Sequence, residues 1–297
     1  MISKLIDGKK LSADIQLKIK SEIEIIQKKH KDSPTLVVVL VGENPASLSY
    51  VRGKERACLK AGINCLIYKY DKNVSEKELQ KVLQKLNKDS SVNGIIVQLP
   101  LPENINEDTI IQSIVPHKDV DGLTTENLGL LAAGTPRFVP ATPLGVQKML
   151  SEINFQTDGS NIVIIGRSKL VGTPLALLLS SKSEMGNATV TVCHSRTKEL
   201  SKYTLQADVI IVATGRPNTL TIDMIANNPI IIDVGVNRVE DESKKNGYRL
   251  VGDTDFENII ENVSKITPVP GGVGPMTITM LLQNVLKAYT NSTKIQI

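Results

Sequence analysis

Tryptophan is absent from the 297-residue chain, and aromatic residues make up only 3% of it. A core without large rings must be aliphatic, and nucleic-acid binding by stacking bases on aromatic side chains is not expected. Cysteine is scarce. Cys58, Cys65 and Cys193 are odd in number, widely spaced and set in apolar stretches, which predicts core residues in a reducing compartment rather than a disulfide framework. His30, His117 and His194 stand far apart and no cysteine pair has ligand spacing, so no metal site is predicted. No apolar run is long enough to span a bilayer, and the start of the chain leads directly into Ile6-Asp7-Gly8-Lys9 and an amphipathic helix. A cytoplasmic protein with no membrane partner is the expectation. Nor is there a basic tract: 35 basic and 31 acidic residues leave a net charge of +4, which mildly favours anionic ligands.

What is present is ordinary for a globular chain, 41% hydrophobic and 22% charged, and long enough for two domains. Leu11, Ile15, Ile19, Ile23 and Ile26 recur at helical spacing among lysines and glutamates, which predicts a surface helix with one buried stripe. Thr35–Val41 is an unbroken, mostly β-branched run, the pattern of a strand covered on both faces. Helices over about 46–61 and after Ser75, and strands over about 63–70 and 94–99, continue the alternation as a first α/β layer. Pro116–Gly122 and Gly134–Pro143 interrupt it, which places a domain crossing between them. Beyond it, strands near Ile162, Thr189, Val209 and Ile230, with crossover helices over 170–181 and 198–206, predict a doubly wound sheet. The glycine-rich stretch Thr267–Thr277 precedes an apolar helix through Ala288. That helix is too hydrophobic for a tail and is expected to return to the first domain.

The strand Asn161–Ile165 runs into Gly166-Arg167-Ser168-Lys169-Leu170-Val171-Gly172-Thr173-Pro174 and a helix. Such a turn delivers a helix N-terminus to a phosphate, and Pro174 suits the first helical turn. The spacing departs from Gly-x-Gly-x-x-Gly, because Ser168 replaces the second glycine and the next glycine, Gly172, comes late. The second strand ends at His194-Ser195-Arg196-Thr197, where an NAD protein usually carries an acid. A hydroxyl and a guanidinium suit a 2′-phosphate instead, so the cofactor reads as NADP. The segments ending at Gly215 and Gly235 finish strands at the edge where such sheets bind ligands, although plain turns account for those glycines almost as well. Tyr50 and Lys54, four apart, share one face of a helix. On spacing alone a packed tyrosine beside a solvated lysine is the commoner outcome.

Five segments taken together carry a resemblance. They are Ser49-Tyr50-Val51-x-x-Lys54, Val97-Gln98-Leu99-Pro100-Leu101-Pro102, Lys118-Asp119-Val120-Asp121-Gly122, Gly166-Arg167-Ser168-x-x-Val171-Gly172-x-Pro174 and Pro270-Gly271-Gly272-Val273-Gly274-Pro275-Met276-Thr277. In this order the chain resembles the bifunctional methylenetetrahydrofolate dehydrogenase/cyclohydrolase family, FolD, over nearly its whole length. The resemblance implies a catalytic α/β domain over 1–122 completed by 273–297, a crossing over 123–145, and a Rossmann-type NADP-binding domain over 146–272, with the folate site in the cleft between the domains. It implies a homodimer, tetrahydrofolate derivatives as substrates and NADP as cofactor.

By the same resemblance Lys54 is the base of the hydrolytic step. Beside a cationic methenyl ligand it should act as a neutral amine, able to accept a proton from water. Gln98 would orient or tune Lys54, where a carboxylate would hold it protonated. Asp121 would grip the aminopyrimidinone edge of the pterin through paired N–H bonds. Tyr50 would pack on the folate, and Leu99, Pro100, Gly272 and Pro275 would complete the substrate contacts. The cofactor contacts would be Gly166, Arg167, Ser168, Ser195, Arg196, Thr214, Gly215 and Val236. Two positions depart from the pattern: Ala141 stands where a cysteine is common, and Leu123 where phenylalanine often follows Asp-Gly. A dehydrogenase lacking the hydrolase step, and a nucleotide-binding regulator without turnover, are the alternatives; the latter needs none of Tyr50, Lys54, Gln98 and Asp121.

Overall fold

The structure, a computed structural model, describes residues 4–244 and 247–293; the extreme ends of the expected domain spans lie outside them. The chain divides into two compact units, one holding residues 13–141 and 278–293, the other residues 4–12 and 142–277.

In the first unit, α1 (Gly8–His30) buries the predicted stripe at Ile19, Ile23 and Ile26, with Ile15 only half-buried. The run at Thr35 forms β1 (Thr35–Val41), every residue of it buried, and strands pair with it on both sides. Those are β2 (Asn64–Tyr70) and β3 (Gly94–Val97), both parallel to it in the order β2-β1-β3. Between β1 and β2 runs α2 (Pro45–Ala61), started by Asn44, whose side chain accepts from Ala46 and Ser47 N–H, and stopped by Gly62 in the left-handed region. Ser75 caps α3 (Glu76–Lys88) in the same way through the Glu78 N–H. Its Leu79, Leu83 and Leu86 pack with Val37, Val39, Ile95 and Ile110 on the sheet side, Ile110 coming from α4 (Glu107–Gln112). The stretch read as a crossing contains a further helix, α5 (Thr125–Ala132), capped by Thr124.

The second unit begins in α6 (Ala141–Glu152) and builds a parallel sheet from β4 (Asn161–Ile165), β5 (Thr189–Cys193), β6 (Val209–Val212), β7 (Ile230–Asp233) and β10 (Lys265–Ile266). Their order is β10-β7-β6-β4-β5, so the chain leaves β4 to one side for β5 and returns to the other for β6. The crossover α7 (Gly172–Ser180) forms as expected. The one predicted over 198–206 shrinks to α8 (Ser201–Thr204). Its first residues are diverted: the Thr197 hydroxyl accepts from His194 N–H, and Glu199 takes φ +51°, a conformation no helix interior contains. The sequence reading also lacked an antiparallel pair, β8 (Asn237–Glu240) with β9 (Tyr248–Val251), and the short helix α9 (Phe256–Ile259). Residues 4–12 join this unit because Ile6 N–H bonds to the Ile266 carbonyl and Lys9 N–H to that of Gly271.

The terminal helix α10 (Val273–Thr293) carries the chain back to the first unit from Ile278 onward. Met280, Leu281, Leu282, Val285 and Tyr289 are buried in it. Asn284 donates to the carbonyls of Val120 and Val139 at 2.8 and 2.9 Å. Cys58, Cys65 and Cys193 are all free thiols, the first and last buried and Cys65 half-buried. No helix among the described residues is long and apolar enough to cross a membrane, and none of their His, Cys, Asp and Glu side chains cluster to hold a metal.

Candidate active site

The C-terminal ends of β1 and β3 and the first turns of α2 bring three of the predicted catalytic side chains to one place. Lys54 lies nearly three turns into α2, half-buried in line with Ser47, Val51 and Cys58 of its buried face, and its Nζ donates to Gln98 Oε1 at 3.1 Å. Gln98 extends β3 by one bond, its N–H donating to the Val39 carbonyl, before the chain turns away at the cis Leu99–Pro100 peptide. The predicted strand over 94–99 therefore stops at Val97. The Gln98 amide is itself oriented, since Nε2 donates to the Leu99 carbonyl at 2.7 Å, leaving the oxygen to face the amine. Tyr50, one turn before Lys54, is 44% exposed.

Asp121 completes the group. Every neighbour around it has a structural partner. Lys118 Nζ donates to the last carbonyls around α3, those of Leu86 and Asp89. Asp119 accepts from Thr124 N–H and Asn127 Nδ2, and Val120 is pinned by Asn284. The Asp121 carboxyl has no hydrogen bond or ion pair among the described residues. The residue keeps some open surface, and protein crowds around its carboxyl. That burial pushes its pKa above the ordinary carboxylate value; the Lys54 charge opposes the rise and the Asp119 charge adds to it. A carboxyl crowded by protein but left without a protein partner is suited to an external donor. Leu99 and Pro100 lie beside Gln98 in this unit, whereas Gly272 and Pro275 fall in the other. There Gly272 is packed so closely that a Cβ would lie 2.6 Å from the Pro268 carbonyl oxygen.

The second unit presents a cradle at the switch point of its sheet. Gly166 has φ +133°, and a Cβ there would sit 2.3 Å from the Ala213 carbonyl oxygen at the end of β6. A Cβ on Gly172 would sit 2.0 Å from the Gly166 carbonyl oxygen. Only glycines let the turn close on itself and on the neighbouring strand end. Arg167 and Ser168 are exposed, the Ser168 hydroxyl accepting from Val171 N–H, and no side chain caps the start of α7. Thr173 N–H already donates to the Ser168 carbonyl and Leu175 N–H to that of Val171, so what the helix start offers a phosphate is chiefly its positive dipole end. Past β5, the bonds from Arg196 N–H to His194 Nδ1 and from Thr197 N–H to the His194 carbonyl make a tight turn with Ser195 and Arg196 exposed. These features fit a dinucleotide carrying a 2′-phosphate. Thr214 and Gly215 form the turn after β6, and Val236, 43% exposed, follows β7.

Three residues of this region escaped the sequence reading: Asp233, Asn237 and Asp253. Asp233 and Asp253 are buried at the ends of β7 and β9, and Asn237 Nδ2 donates to Asp253 Oδ1 at 2.8 Å. A Cβ on Gly235 would lie 2.0 Å from Asp253 Oδ1, and one on Gly252 2.0 Å from Asp233 Oδ2. The sequence signal was the pairing of aspartate with glycine at two strand ends, Asp233-Val234-Gly235 and Gly252-Asp253. The room at Gly235 is taken by a carboxylate of the protein.

Burial pushes Asp233 up to about 6, against backbone N–H bonds from Asp253 and Thr254 and with the Asp253 charge adding to the rise. Between its ordinary value of 3.8 and about 6 the folded chain holds more protons than the unfolded one. Stability therefore falls as pH rises through that window, by an amount on the order of 3 kcal/mol for this group. A carbon-13 carboxyl titration of the folded protein is expected to give Asp233 a midpoint near 6. A midpoint at the ordinary carboxylate value would contradict the burial argument.

Comparison with known proteins bears on both units. Residues 6–121 match the tetrahydrofolate dehydrogenase/cyclohydrolase catalytic domain, and residues 140–293 the NAD(P)-binding domain of the same name. The bifunctional protein FolD of Salinibacter ruber is 49% identical over 284 residues, covering 96% of this chain and 95% of that one. The crystal structure of the bifunctional FolD enzyme of Campylobacter jejuni superposes with a TM-score of 0.90 at 47% identity, over 97% of this chain and 98% of that one. The Trypanosoma brucei dehydrogenase-cyclohydrolase, solved with NADP cofactor and inhibitor, gives 0.92 at 34% identity, over 98% of each chain. With both domains matched in order and relatives alike along almost the full length, the chain belongs to the tetrahydrofolate dehydrogenase/cyclohydrolase family.

Proposed function

We propose that the protein oxidises 5,10-methylenetetrahydrofolate to the 5,10-methenyl cation with NADP and hydrolyses that cation to 10-formyltetrahydrofolate, an interconversion of one-carbon units. The observation that carries the reading is the 3.1 Å contact of Lys54 Nζ with Gln98 Oε1, with the unpartnered Asp121 carboxyl close enough for the two charges to interact. NADP, when bound, accepts the hydride leaving the methylene carbon. Asp121 holds the pterin through its aminopyrimidinone edge, and Tyr50 packs on the folate. The hydrolytic step adds water to the methenyl carbon; Lys54 accepts one proton of the water, and ring opening breaks the bond to one nitrogen, which takes up the remaining hydroxyl proton, while the formyl group stays on the other. Gln98 orients the amine through its amide oxygen, a neutral acceptor that places no full negative charge beside it.

The cradle of Gly166, Arg167 and Ser168 binds the pyrophosphate, Ser195 and Arg196 the 2′-phosphate, and Thr214, Gly215 and Val236 line the nicotinamide end. A homodimer formed through the nucleotide domain, in a reducing cytoplasm that keeps three thiols free, completes the proposal. The test is an assay with methylenetetrahydrofolate and NADP that follows NADPH and the methenyl absorbance separately. NADPH should appear with little methenyl build-up; folded protein that makes no NADPH overturns the assignment. Replacing Arg196 with glutamate should lower the preference for NADP over NAD by about 100-fold or more, since an attraction for the 2′-phosphate becomes a repulsion. An unchanged preference would remove Arg196 from the site.

A further inference from the structure

The turn after β6 is held from beneath by one buried side chain. Asp253 is fully buried, while Gly215, in the turn it holds, is exposed. Its Oδ2 accepts from Thr214 N–H at 2.6 Å, Gly215 N–H at 2.8 Å and the Thr214 hydroxyl at 3.0 Å. Its Oδ1 accepts from Asn237 Nδ2 at 2.8 Å. The same residue's backbone is also used: its carbonyl accepts from Thr219 N–H at 2.7 Å, and its N–H donates to Asp233 Oδ1 at 2.9 Å. Asp233 in turn accepts from Gly235 N–H and Thr254 N–H. One carboxylate thus ties the turn after β6 to the segments following β7 and β9. Ala213, at the head of that turn, is the residue against which Gly166 packs. The network therefore reaches the phosphate cradle as well.

We infer that Asp253 is a positioning residue for the dinucleotide: by holding the Thr214–Gly215 turn in one shape it sets the surface on which NADP lies, without touching NADP itself. The inference rests on the reading that this unit binds NADP, and adds to it a residue outside the contact set. The physical reason is preorganisation. Gly215 has φ +67° and open space about it, so the turn has little packing of its own and would otherwise be ordered at the expense of binding. A carboxylate can take all four donors. An asparagine offers one acceptor oxygen and an amide that must face either Asn237 Nδ2 or the two turn N–H groups, so one side of the network opposes donor to donor.

The experiment compares wild type with Asp253→Asn in three readouts: NADPH binding by fluorescence titration, the NADP KM of the dehydrogenase reaction, and hydrolysis of methenyltetrahydrofolate supplied directly without NADP. The first two are expected to worsen by about 10-fold or more, the scale of one lost hydrogen bond to a charged group, while hydrolysis stays within about 2-fold. Asn237→Ala, which removes the donor to Oδ1 together with its 3.1 Å bond to the Gly252 carbonyl, should weaken NADPH binding by about 3-fold and serves if Asp253→Asn does not fold. NADPH affinity within about 2-fold of wild type in every variant that folds overturns the inference. So does a parallel loss of binding, hydrolysis and thermal stability, which is what a purely structural role produces. A wild type that binds NADPH yet turns over no folate sinks the folate assignment instead, and leaves the NADPH comparison between variants standing.

Discussion

Replacing Lys54 with glutamine is expected to abolish hydrolysis of the methenyl cation, with a loss of about 1,000-fold or more, while NADPH formation stays within about tenfold of wild type. The two steps ask different things of the side chain. Hydride transfer needs the methylene carbon held in place, and glutamine keeps a polar group of similar reach beside Gln98. Hydrolysis needs a group that takes a proton from water, and an amide cannot. The mutant should therefore accumulate methenyl absorbance in step with NADPH, where the wild type shows little. If the mutant instead hydrolyses the cation at the wild-type rate, Lys54 is not the base, and the 3.1 Å contact with Gln98 is a packing detail of α2. If both steps vanish together in a folded mutant, Lys54 acts chiefly in binding.

The parts of this site that the sequence made legible are those set by local periodicity. Tyr50 and Lys54 share a face because residues four apart in a helix do, and β1 is announced by seven consecutive apolar or β-branched residues. The turn after β4 was recognisable from its glycines. What was not legible depends on contacts between distant residues. Gln98 meets Lys54 across 44 positions, a pairing that only the family resemblance implied, and its orientation comes from a carbonyl next door. Asp253 reaches Thr214 across 39 positions. In sequence it is an acid after a glycine in a loop, the commonest of polar patterns. Its full burial becomes intelligible only once the four donors around it are seen. The overlong helix expected over 198–206 failed for a related reason: Thr197 has ordinary helix-neighbour chemistry, but here its hydroxyl is committed to His194, and the helix cannot begin until Ser201.

Asp121 should be the most sensitive position for both reactions at once. Its carboxyl lacks a protein hydrogen bond among the described residues and feels the Lys54 charge. Two N–H bonds from the pterin edge would satisfy it, and losing hydrogen bonds to a charged acceptor costs about 3 kcal/mol. Asp121→Asn is therefore expected to lower kcat/KM for methylene oxidation and for methenyl hydrolysis by about 100-fold each, with NADPH binding unchanged. The pH profile supplies an independent check. The carboxylate is the form that accepts both bonds, and burial raises the pH at which it takes up a proton. Wild-type activity should then fall on the acid side at a higher pH than an ordinary aspartate would dictate, and the mutant should lack that limb. Equal kcat/KM values in mutant and wild type, or an acid limb that survives the substitution, would show that the pterin is held elsewhere. The rise in the Asp121 pKa would then reflect only its crowding by protein and the nearby Asp119 charge, with no ligand to meet it.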